Sequence, residues 1–340
     1  MPGRSLAGTE RADEQRMIGS EALPARASSR SGLIRHPMRT LPSYVLVTPA
    51  RNEAKFIELT LKSVVAQTVR PMKWVIVSDG SSDGTDEIVG RYAAEHPWIE
   101  LLRMSERSER HFAGKVIAFN AGWERVKHLP YRIIGSLDAD VSFEEDYFDF
   151  LLTKFVANPM LGVGGTPFTE GNGTYDFRFT SIEHVSGACQ LFRRECFDAI
   201  GGYKPIRGGG IDLVAVVTSR MRGWQTRTFP ERICFHHRRM GSAMNTGLKL
   251  LFKGGQKDYR LGGHPVWQVF RCFYQMRNPP YILGGVLRFT GYYFALTTRR
   301  PRDVSAEFRA FRGREQMQRL RNFFARKLRP FRGASQQHAA

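Results

Sequence analysis

Three short apolar runs, each ended by a cluster of polar residues, constrain the fold of this chain more than any other feature. The runs cover residues 44–48, 74–77 and 132–137, and segments of helical periodicity at 56–67 and 115–127 alternate with them. Alternating strands and helices are typical of a parallel sheet, and uninterrupted apolar strands indicate that helices cover both of its faces. We therefore predict an α/β fold with a mostly parallel sheet.

The polar clusters follow directly after the apolar runs. They occupy residues 49–53, 78–85 and 138–140, which lie tens of residues apart in the sequence. In open α/β sheets, ligands bind outside the carboxyl ends of the strands, so this topology brings the three clusters to one edge. We expect the functional site at that edge.

The third cluster predicts a metal site. Asp138 and Asp140 flank Ala139, and residues i and i+2 of an extended segment point to the same side. Two carboxylates on one side form an oxygen-donor site that suits Mg²⁺ or Mn²⁺, which complete their shells with substrate phosphates. Such an ion neutralises negative charge on a diphosphate leaving group. A D-x-D triplet is common by chance, but this one directly follows a predicted strand.

Four motifs resemble family 2 glycosyltransferases of the GT-A fold, in their order and in roughly their spacing. They are VTPARNE at 47–53, VSDGSSDGT at 77–85, AGKVIAFNAGW at 113–123 and SLDADV at 136–141. The resemblance covers about residues 45–240 and implies a GT-A-like fold, a nucleotide-sugar donor and Mg²⁺ or Mn²⁺ as cofactor. The Q-x-x-R-W motif of the family's processive synthases is not found in this sequence, so the resemblance is to the non-processive bacterial type.

The resemblance also implies which residues hold the donor nucleotide. They are Pro49, Asn52, Glu53, Asp79, Lys115 and Asp138. A carboxylate such as Asp79 at a strand end can accept hydrogen bonds from a base or a ribose, and Lys115 would offer a cation to a diphosphate. A solvated position at a helix start is the alternative for Lys115. For Asp83 or Asp86, helix N-capping is the better interpretation.

The segment 208–231 resembles the part of the family that carries the general base, and Asp212 is the matching residue. A base here would take the proton of the acceptor hydroxyl during direct attack, which implies inverting transfer. The commoner form of this motif has more acidic residues. His236 and His237 follow a further predicted strand, where the resemblance implies a metal ligand or a contact to the diphosphate. We predict His237 as a metal ligand, together with the aspartates at 138 and 140.

Positive charge is concentrated in the last third of the chain. Residues 220–340 contain 25 Lys and Arg and 5 Asp and Glu, a net charge of +20, whereas the preceding residues have a net charge of −1. A basic region of this kind favours an anionic partner, or else is a solvated face. Because the charge lies outside the α/β core, we predict an anionic membrane surface rather than nucleic acid as the partner.

Two segments of this third predict membrane-associating helices. Residues 281–298 are mostly apolar, but Arg288 near their middle opposes a complete span. We therefore predict an interfacial or re-entrant element. Residues 305–329 predict a basic amphipathic helix that lies on an anionic membrane or packs on the catalytic domain.

These observations predict three regions: a disordered N-terminal extension at 1–43, a GT-A catalytic domain at 44–240, and a helical, basic, membrane-associating region at 241–340. The predicted function is inverting, metal-dependent transfer from a nucleotide-diphosphate sugar to a glycan or lipid-linked acceptor, in polysaccharide or glycolipid biosynthesis. Four cysteines without a disulfide pattern suit the cytoplasm, so we expect a peripheral or monotopic protein on the cytoplasmic face of the inner membrane. The alternatives are a metal-dependent nucleotidyltransferase and a basic nucleic-acid-binding protein.

Overall fold

Ten strands are present in the computed structural model, which describes residues 40–105, 112–170, 181–238 and 247–328. The three predicted apolar runs all form strands, because continuous apolar sequence favours a strand that is buried on both faces. The strands are β1 Tyr44–Ala50, β2 Lys73–Asp79, β3 Ile99–Met104, β4 Ile133–Leu137, β5 Val141–Ser142, β6 Leu161–Gly165, β7 Phe168–Thr169, β8 Cys189–Arg193, β9 Gln225–Thr228 and β10 Cys234–His236.

Seven of these strands form the main sheet, in the order β3-β2-β1-β4-β8-β6-β9. The first four are parallel, β8 is antiparallel to both of its neighbours, and β6 is parallel to β9. Val47 of β1 is level with Val75 of β2 and Ser136 of β4, so these three strands end at the same edge. The predicted α/β fold with a mostly parallel sheet is confirmed. A smaller sheet has the order β5-β10-β7.

Helices cover both faces of the main sheet, as the buried strands require. In the part of the chain that the structure describes, they are α1 Ile57–Val65, α2 Thr85–Glu95, α3 Phe112–Val126, α4 Tyr147–Ala157, α5 Arg194–Ala199, α6 Ile211–Met221, α7 Leu248–Arg260, α8 Pro265–Gln275, α9 Tyr281–Thr297 and α10 Ala306–Leu328. Alternate residues of β1 face two separate cores: Leu46 packs with α1 and α4, and Val47 packs with α3 and α6.

The C-terminal helices pack at very short backbone distances. At Gly255 of α7 an added Cβ would lie 2.1 Å from the carbonyl oxygen of Arg288, and at Gly291 of α9 it would lie 2.0 Å from that of Phe252. Glycine is therefore required at both positions, since no side chain fits between α7 and α9. None of the helices in the described ranges combines the length and apolarity needed to cross a bilayer.

Helix α10 connects this helical region to the sheet domain. Arg220 at the end of α6 donates two hydrogen bonds to the Glu315 carboxylate of α10, at 2.6 and 2.9 Å. Most of the predicted extension at 1–43 lies outside the described residues, which begin at 40. The predicted boundary at residue 240 also falls outside them, in 239–246, and stays a prediction.

All four cysteines are buried and unpaired. Burial raises the pKa of the Cys189 thiol to about 12 and those of Cys196 and Cys272 to about 11. It also raises the pKa of Cys234 well above its ordinary value. The thiols are therefore core groups in the neutral form.

Candidate active site

Hydrogen bonds join the loops that follow β1 and β2. Asn52 adopts a left-handed backbone conformation, with φ of 55°, and its side-chain oxygen accepts the N–H of Ser82 at 2.9 Å. The Ala54 N–H donates to Asp83 Oδ2 at 3.0 Å, and the Thr85 N–H donates to Asp83 Oδ1 at 3.1 Å. Burial would raise the pKa of Asp83, but a hydrogen bond from the Thr85 hydroxyl, together with these two backbone hydrogen bonds, lowers it. Asp83 thus accepts the backbone N–H of Thr85, the first residue of α2, but the N-cap position itself is Gly84 and has no side-chain cap.

The first loop also carries charged groups to this edge. Asp79 is buried at the end of β2, with Arg51 Nη1 3.9 Å from its Oδ2. Pro49, within β1, is level with Val77 of β2. The predicted nucleotide-binding residues of the two loops therefore lie at neighbouring strand ends.

The third polar cluster lies at the end of β4, next to the small sheet. Asp138, Asp140 and His236 each offer one ligand atom, and these atoms lie within 4.8 Å of one another. Strand β10 pairs with β5 so that His236 is level with Val141, and the His237 N–H donates to the Asp140 carbonyl oxygen at 2.8 Å. The pairing of β10 with β5 thus brings a histidine to the two carboxylates.

The histidine in this cluster is His236, whereas the sequence prediction named His237. Because adjacent residues of a strand point to opposite sides, only one of the two can face the carboxylates. His236 Nε2 lies 3.5 Å from Asp140 Oδ1, while His237 Nε2 is 2.8 Å from the Ser142 hydroxyl. The sequence predicted His237 of this segment as a ligand, whereas the structure brings His236 to the carboxylates.

The cluster has the donor groups that a divalent metal ion needs. Two carboxylate oxygens and one imidazole nitrogen converge. His236 Nδ1 is buried without a hydrogen-bond partner among the described residues, and it faces Glu170 Oε1 at 3.5 Å. A metal-bound histidine commonly directs its second nitrogen at a carboxylate in this way, which fixes the ring. The residues present therefore fit a bound Mg²⁺ or Mn²⁺.

Two cations surround the acidic cluster. Lys115 of α3 forms an ion pair with Asp138, and Arg238 forms one with Glu53 while its Nε lies 3.5 Å from Asp140 Oδ2. Burial alone would lower the pKa of Lys115, but the Asp138 carboxylate raises it above its ordinary value, with smaller contributions from other acids. Lys115 is therefore a charged residue of the site, and the interpretation as a solvated lysine does not hold.

Asp212 reaches the same site from α6. It lies in the first turn of this helix, after Gly209 and Gly210, whose φ angles of 78° and 93° are in the left-handed region that favours glycine. A Cβ at Gly187 would lie 3.1 Å from Asp212 Cβ, so the lack of a side chain there leaves room for the carboxylate. Asp212 is also among the carboxylates that raise the pKa of Lys115.

Arg238 and Glu170 are site residues that the sequence reasoning missed. Glu170 follows the two-residue strand β7, which is too short to give a periodic signal. Arg238 comes directly after the histidine pair, in a segment that was predicted to contact metal or diphosphate. The position of Arg238 next to the two histidines was the sequence signal that could have identified it as a site residue.

A comparison with known families decides which family this domain represents. The family description "Glycosyl transferase family 2" matches residues 45–206, which include the two joined loops, Lys115 and the acidic pair. The chain carries a family 2 glycosyltransferase domain. The resemblance noted in the four sequence motifs is thereby confirmed.

Curated relatives match this family 2 domain over part of their length. The poly-beta-1,6-N-acetyl-D-glucosamine synthase of Staphylococcus epidermidis strain ATCC 35984 is 27% identical over 163 residues, which are 46% of this chain and 36% of the relative. The synthase of the same description from Staphylococcus aureus strain COL is 29% identical over 136 residues, covering 40% and 31%. This chain therefore spans about a third of the length of the curated relatives it matches.

The fold of the chain is also found in solved structures, of which two are described. The mannosyltransferase PcManGT from Pyrobaculum calidifontis, in complex with GDP-Man and Mn²⁺, matches with a TM-score of 0.50 and 20% identity, over 85% of this chain and 81% of that one. GalNAc-T7 with UDP, GalNAc and Mn²⁺ matches with a TM-score of 0.50 and 14% identity, over 77% and 59%. The GT-A-like fold is therefore confirmed.

Proposed function

We propose that this family 2 domain is an inverting, metal-dependent glycosyltransferase. It would move a sugar from a nucleotide-diphosphate sugar to a hydroxyl group of a glycan or lipid-linked acceptor. The observation that carries the proposal is the convergence of Asp138, Asp140 and His236 beside Lys115, at the edge where the strands of the parallel sheet end. A polysaccharide is the favoured product, since the curated relatives are synthases of a glucosamine polymer.

Asp138, Asp140 and His236 would hold the cofactor, Mg²⁺ or Mn²⁺. When bound, the ion supplies Lewis-acid stabilisation of the diphosphate leaving group. The two solved structures described above contain Mn²⁺. Their donor or product nucleotides, GDP-Man and UDP, support a nucleotide-diphosphate sugar as the donor class for this chain.

The protein's own cations supply the second part of donor recognition. Lys115 and Arg238 are each paired with acids of the site, so they concentrate positive charge where a diphosphate would lie. Asp79, buried at the end of β2, would accept hydrogen bonds from the base or ribose. Asn52 and Glu53 already have partners, Ser82 and Arg238, so they would act mainly by holding the first loop in shape.

Asp212 would be the general base. Its carboxylate takes the proton of the acceptor hydroxyl as that oxygen bonds to the anomeric carbon of the sugar. The bond between the anomeric carbon and the diphosphate oxygen breaks in the same step, and the nucleoside diphosphate leaves. A single displacement inverts the anomeric configuration. The support is the position of Asp212 at the start of α6, in electrostatic contact with Lys115.

We further infer that the chain works on the cytoplasmic face of the inner membrane as a peripheral or monotopic protein. The net charge of +20 over residues 220–340 suits an anionic lipid surface and would hold the domain close to a lipid-linked acceptor. The four unpaired cysteines suit a reducing compartment.

The test is a panel of nucleotide sugars with Mn²⁺ or Mg²⁺, with release of nucleoside diphosphate as the readout. Asp140→Ala should abolish turnover, because a metal ligand is lost. Asp212→Asn should slow transfer by about 10²–10⁴-fold, because the base is lost while its shape is kept. Asp198→Asn, at an exposed acid of α5, is the matched control and should retain full activity. Turnover by Asp140→Ala at the rate of the unchanged protein would disprove the metal assignment.

A further inference from the structure

Helix α9 has its charge inside and its apolar residues outside. Arg288 is the one charged residue among its 17 residues. It faces the protein, with a side chain 20% exposed and Nε 3.7 Å from Oδ2 of the buried Asp258. A surface helix of a water-soluble domain normally has the reverse arrangement. The predicted obstacle to membrane contact, an arginine in the middle of the segment, is therefore removed from the outer surface.

The outer face of α9 is continuous and uncharged. Ile282, Val286 and Phe289 follow one another at helical spacing and are 68%, 39% and 37% exposed, and Leu283 and Phe294 beside them are 45% and 42% exposed. On the opposite side, Gly284, Gly285, Gly291, Tyr292 and Ala295 are buried against the neighbouring helices. We call the set Ile282, Leu283, Val286, Phe289 and Phe294 the outer face.

Neighbouring helices extend this apolar surface. Phe273 and Val266 of α8 are 64% and 50% exposed. An apolar groove also runs between α8 and α10, and Tyr293 of α9 forms part of its wall. The groove is lined by Pro265, Val266, Val269, Phe270, Tyr293, Leu320 and Phe324. An apolar surface formed by three helices is larger than the isolated exposed side chains that need no explanation.

Cationic side chains lie beyond both ends of α9 and on α7, which packs against it. Arg277 precedes α9, Arg299 and Arg300 follow it, and Lys249 and Lys253 lie on α7, all of them exposed. The Arg300 guanidinium lies 5.7 Å from the ring centre of Phe294. Long basic side chains beside apolar ones are typical of helices at a lipid surface, where the cations meet phosphate head groups and the apolar residues enter the acyl boundary. A purely protein partner would not require positive charge at both ends of the helix.

The length of α9 fixes its orientation in such a surface. Seventeen residues make a helix of about 25 Å, shorter than the roughly 30 Å hydrocarbon core. The inward Arg288 and its ion pair with Asp258 would also have to enter hydrocarbon if the helix crossed it. Lying flat leaves that pair inside the protein and presents the whole outer face to lipid.

We propose that α9 is the membrane-binding element of this protein, lying in the plane of an anionic bilayer with its outer face in the boundary between head groups and acyl chains. This rests on the membrane association proposed above and is independent of the sugar-transfer reaction.

The experiment is flotation of the full chain with phosphatidylcholine vesicles that contain or lack phosphatidylglycerol. The triple variant Ile282→Ser, Val286→Ser, Phe289→Ser should lower the partition coefficient by at least about 10-fold, since three apolar side chains no longer enter the lipid. The matched control is Leu59→Ser, Val156→Ser, Met160→Ser, which removes side chains that are 43%, 40% and 51% exposed on the sheet domain. It should float like the unchanged protein.

A second pair of variants tests the charge requirement. Arg299→Gln with Arg300→Gln should weaken binding to the vesicles that contain phosphatidylglycerol, and added salt should have the same effect. Arg70→Gln with Arg91→Gln, at exposed positions of the sheet domain, removes equal charge and should not.

Three results would overturn the proposal. The first is flotation that the outer-face triple variant leaves unchanged, which would keep membrane association but not α9 as its cause. The second is the absence of flotation for the unchanged protein. The third is a dimer in solution that the triple variant dissociates, which would identify the face as a protein interface. Nucleoside diphosphate release without vesicles, measured on the same samples, shows separately whether the transferase proposal stands.

Discussion

At the scale of single residues, the side of β10 on which a histidine lies determines which of the two can serve the proposed metal site. His236 lies with Asp138 and Asp140, and the neighbouring His237 is directed to the Ser142 hydroxyl. Glu170 lies behind His236 and faces its second ring nitrogen. The two histidines therefore differ in role. The His236 ring is available to an ion, and the His237 ring is bonded within the small sheet.

This division predicts a contrast between the two alanine variants. His236→Ala should weaken Mn²⁺ binding by more than the roughly 10–100-fold that loss of an outer-shell partner costs, because a donor atom is removed. His237→Ala should bind Mn²⁺ nearly as well as the unchanged protein. Titration followed by electron paramagnetic resonance of free Mn²⁺ measures both. The opposite order of affinities would show that His237, as the sequence suggested, is the ligand.

Residue-level prediction from the sequence worked where the spacing itself carries the geometry. Asp138 and Asp140 lie in the short connection between β4 and β5, not in the extended segment that the sequence predicts, and they are close because one residue separates them. The third ligand required knowledge of the register between β10 and β5, which pair over two residue pairs and are almost a hundred residues apart. No local pattern encodes that register.

At the scale of elements, the crossing of α7 and α9 depends on two glycines. Gly255 and Gly291 let the two backbones approach so closely that a methyl group at either position would clash with the other helix. Small residues at a helix–helix contact let the two backbones approach closely. The glycines that weaken 281–298 as an isolated helix are therefore the residues that fix it to its neighbour.

Gly291→Ala should consequently destabilise the protein, although alanine is the better helix former. The new Cβ would lie 2.0 Å from the Phe252 carbonyl oxygen, and we expect a loss of about 1–3 kcal/mol in the free energy of unfolding. Gly90→Ala in α2 has no atom within 4 Å and should instead gain about 0.5–1 kcal/mol. Urea unfolding monitored by circular dichroism measures both. A stabilised Gly291→Ala variant would mean that α7 and α9 do not pack this closely.

The element boundaries near the catalytic edge were largely accessible to sequence reasoning. The predicted helix at 115–127 is α3 Phe112–Val126, and the predicted helix at 305–329 is α10 Ala306–Leu328. The sequence did not show which face of α9 packs against the protein, because a mostly apolar segment has no polar face that marks the solvent side. The position of Arg288 became informative only when Asp258 was found beside it.

At the scale of the whole molecule, the C-terminal helices are attached to the helix that carries the proposed base. Arg220 of α6 pairs with Glu315 of α10, and both side chains are mostly buried, at 11% and 19% exposed. The loop before α6 is also in contact, since a Cβ at Gly210 would lie 2.5 Å from Leu261 Cδ1. The orientation of Asp212 therefore depends on helices outside the matched family segment.

Glu315→Gln should weaken this connection. Charged hydrogen bonds of this kind contribute about 1.5–3 kcal/mol, and we expect a loss of that order in the free energy of unfolding. Arg319→Gln is the control, because Arg319 pairs with Glu183 at 2.9 Å in a more exposed position and should cost less than about 1 kcal/mol. Chemical denaturation at neutral pH compares the two. Equal losses for both variants would show that the α6–α10 pair has no special role.

The parallel half of the sheet could be predicted from the sequence, and the other half could not. β1, β2 and β4 are continuous apolar runs with helices between them, which leaves few alternative arrangements. β8, β6 and β9 mix antiparallel and parallel pairs and contain short or polar strands, so their order depends on long-range contacts. The attachment of α10 to α6 depends likewise on a pair 95 positions apart.

The burial of every native thiol makes this protein a ready-made background for site-specific labelling. Cys189, Cys196, Cys234 and Cys272 are shielded from reagents and held in the protonated form, which reacts poorly with maleimides. A single cysteine introduced at position 286 could therefore carry a polarity-sensitive fluorophore without removal of any natural cysteine. Its emission would report directly how deeply α9 sits when the protein meets a vesicle.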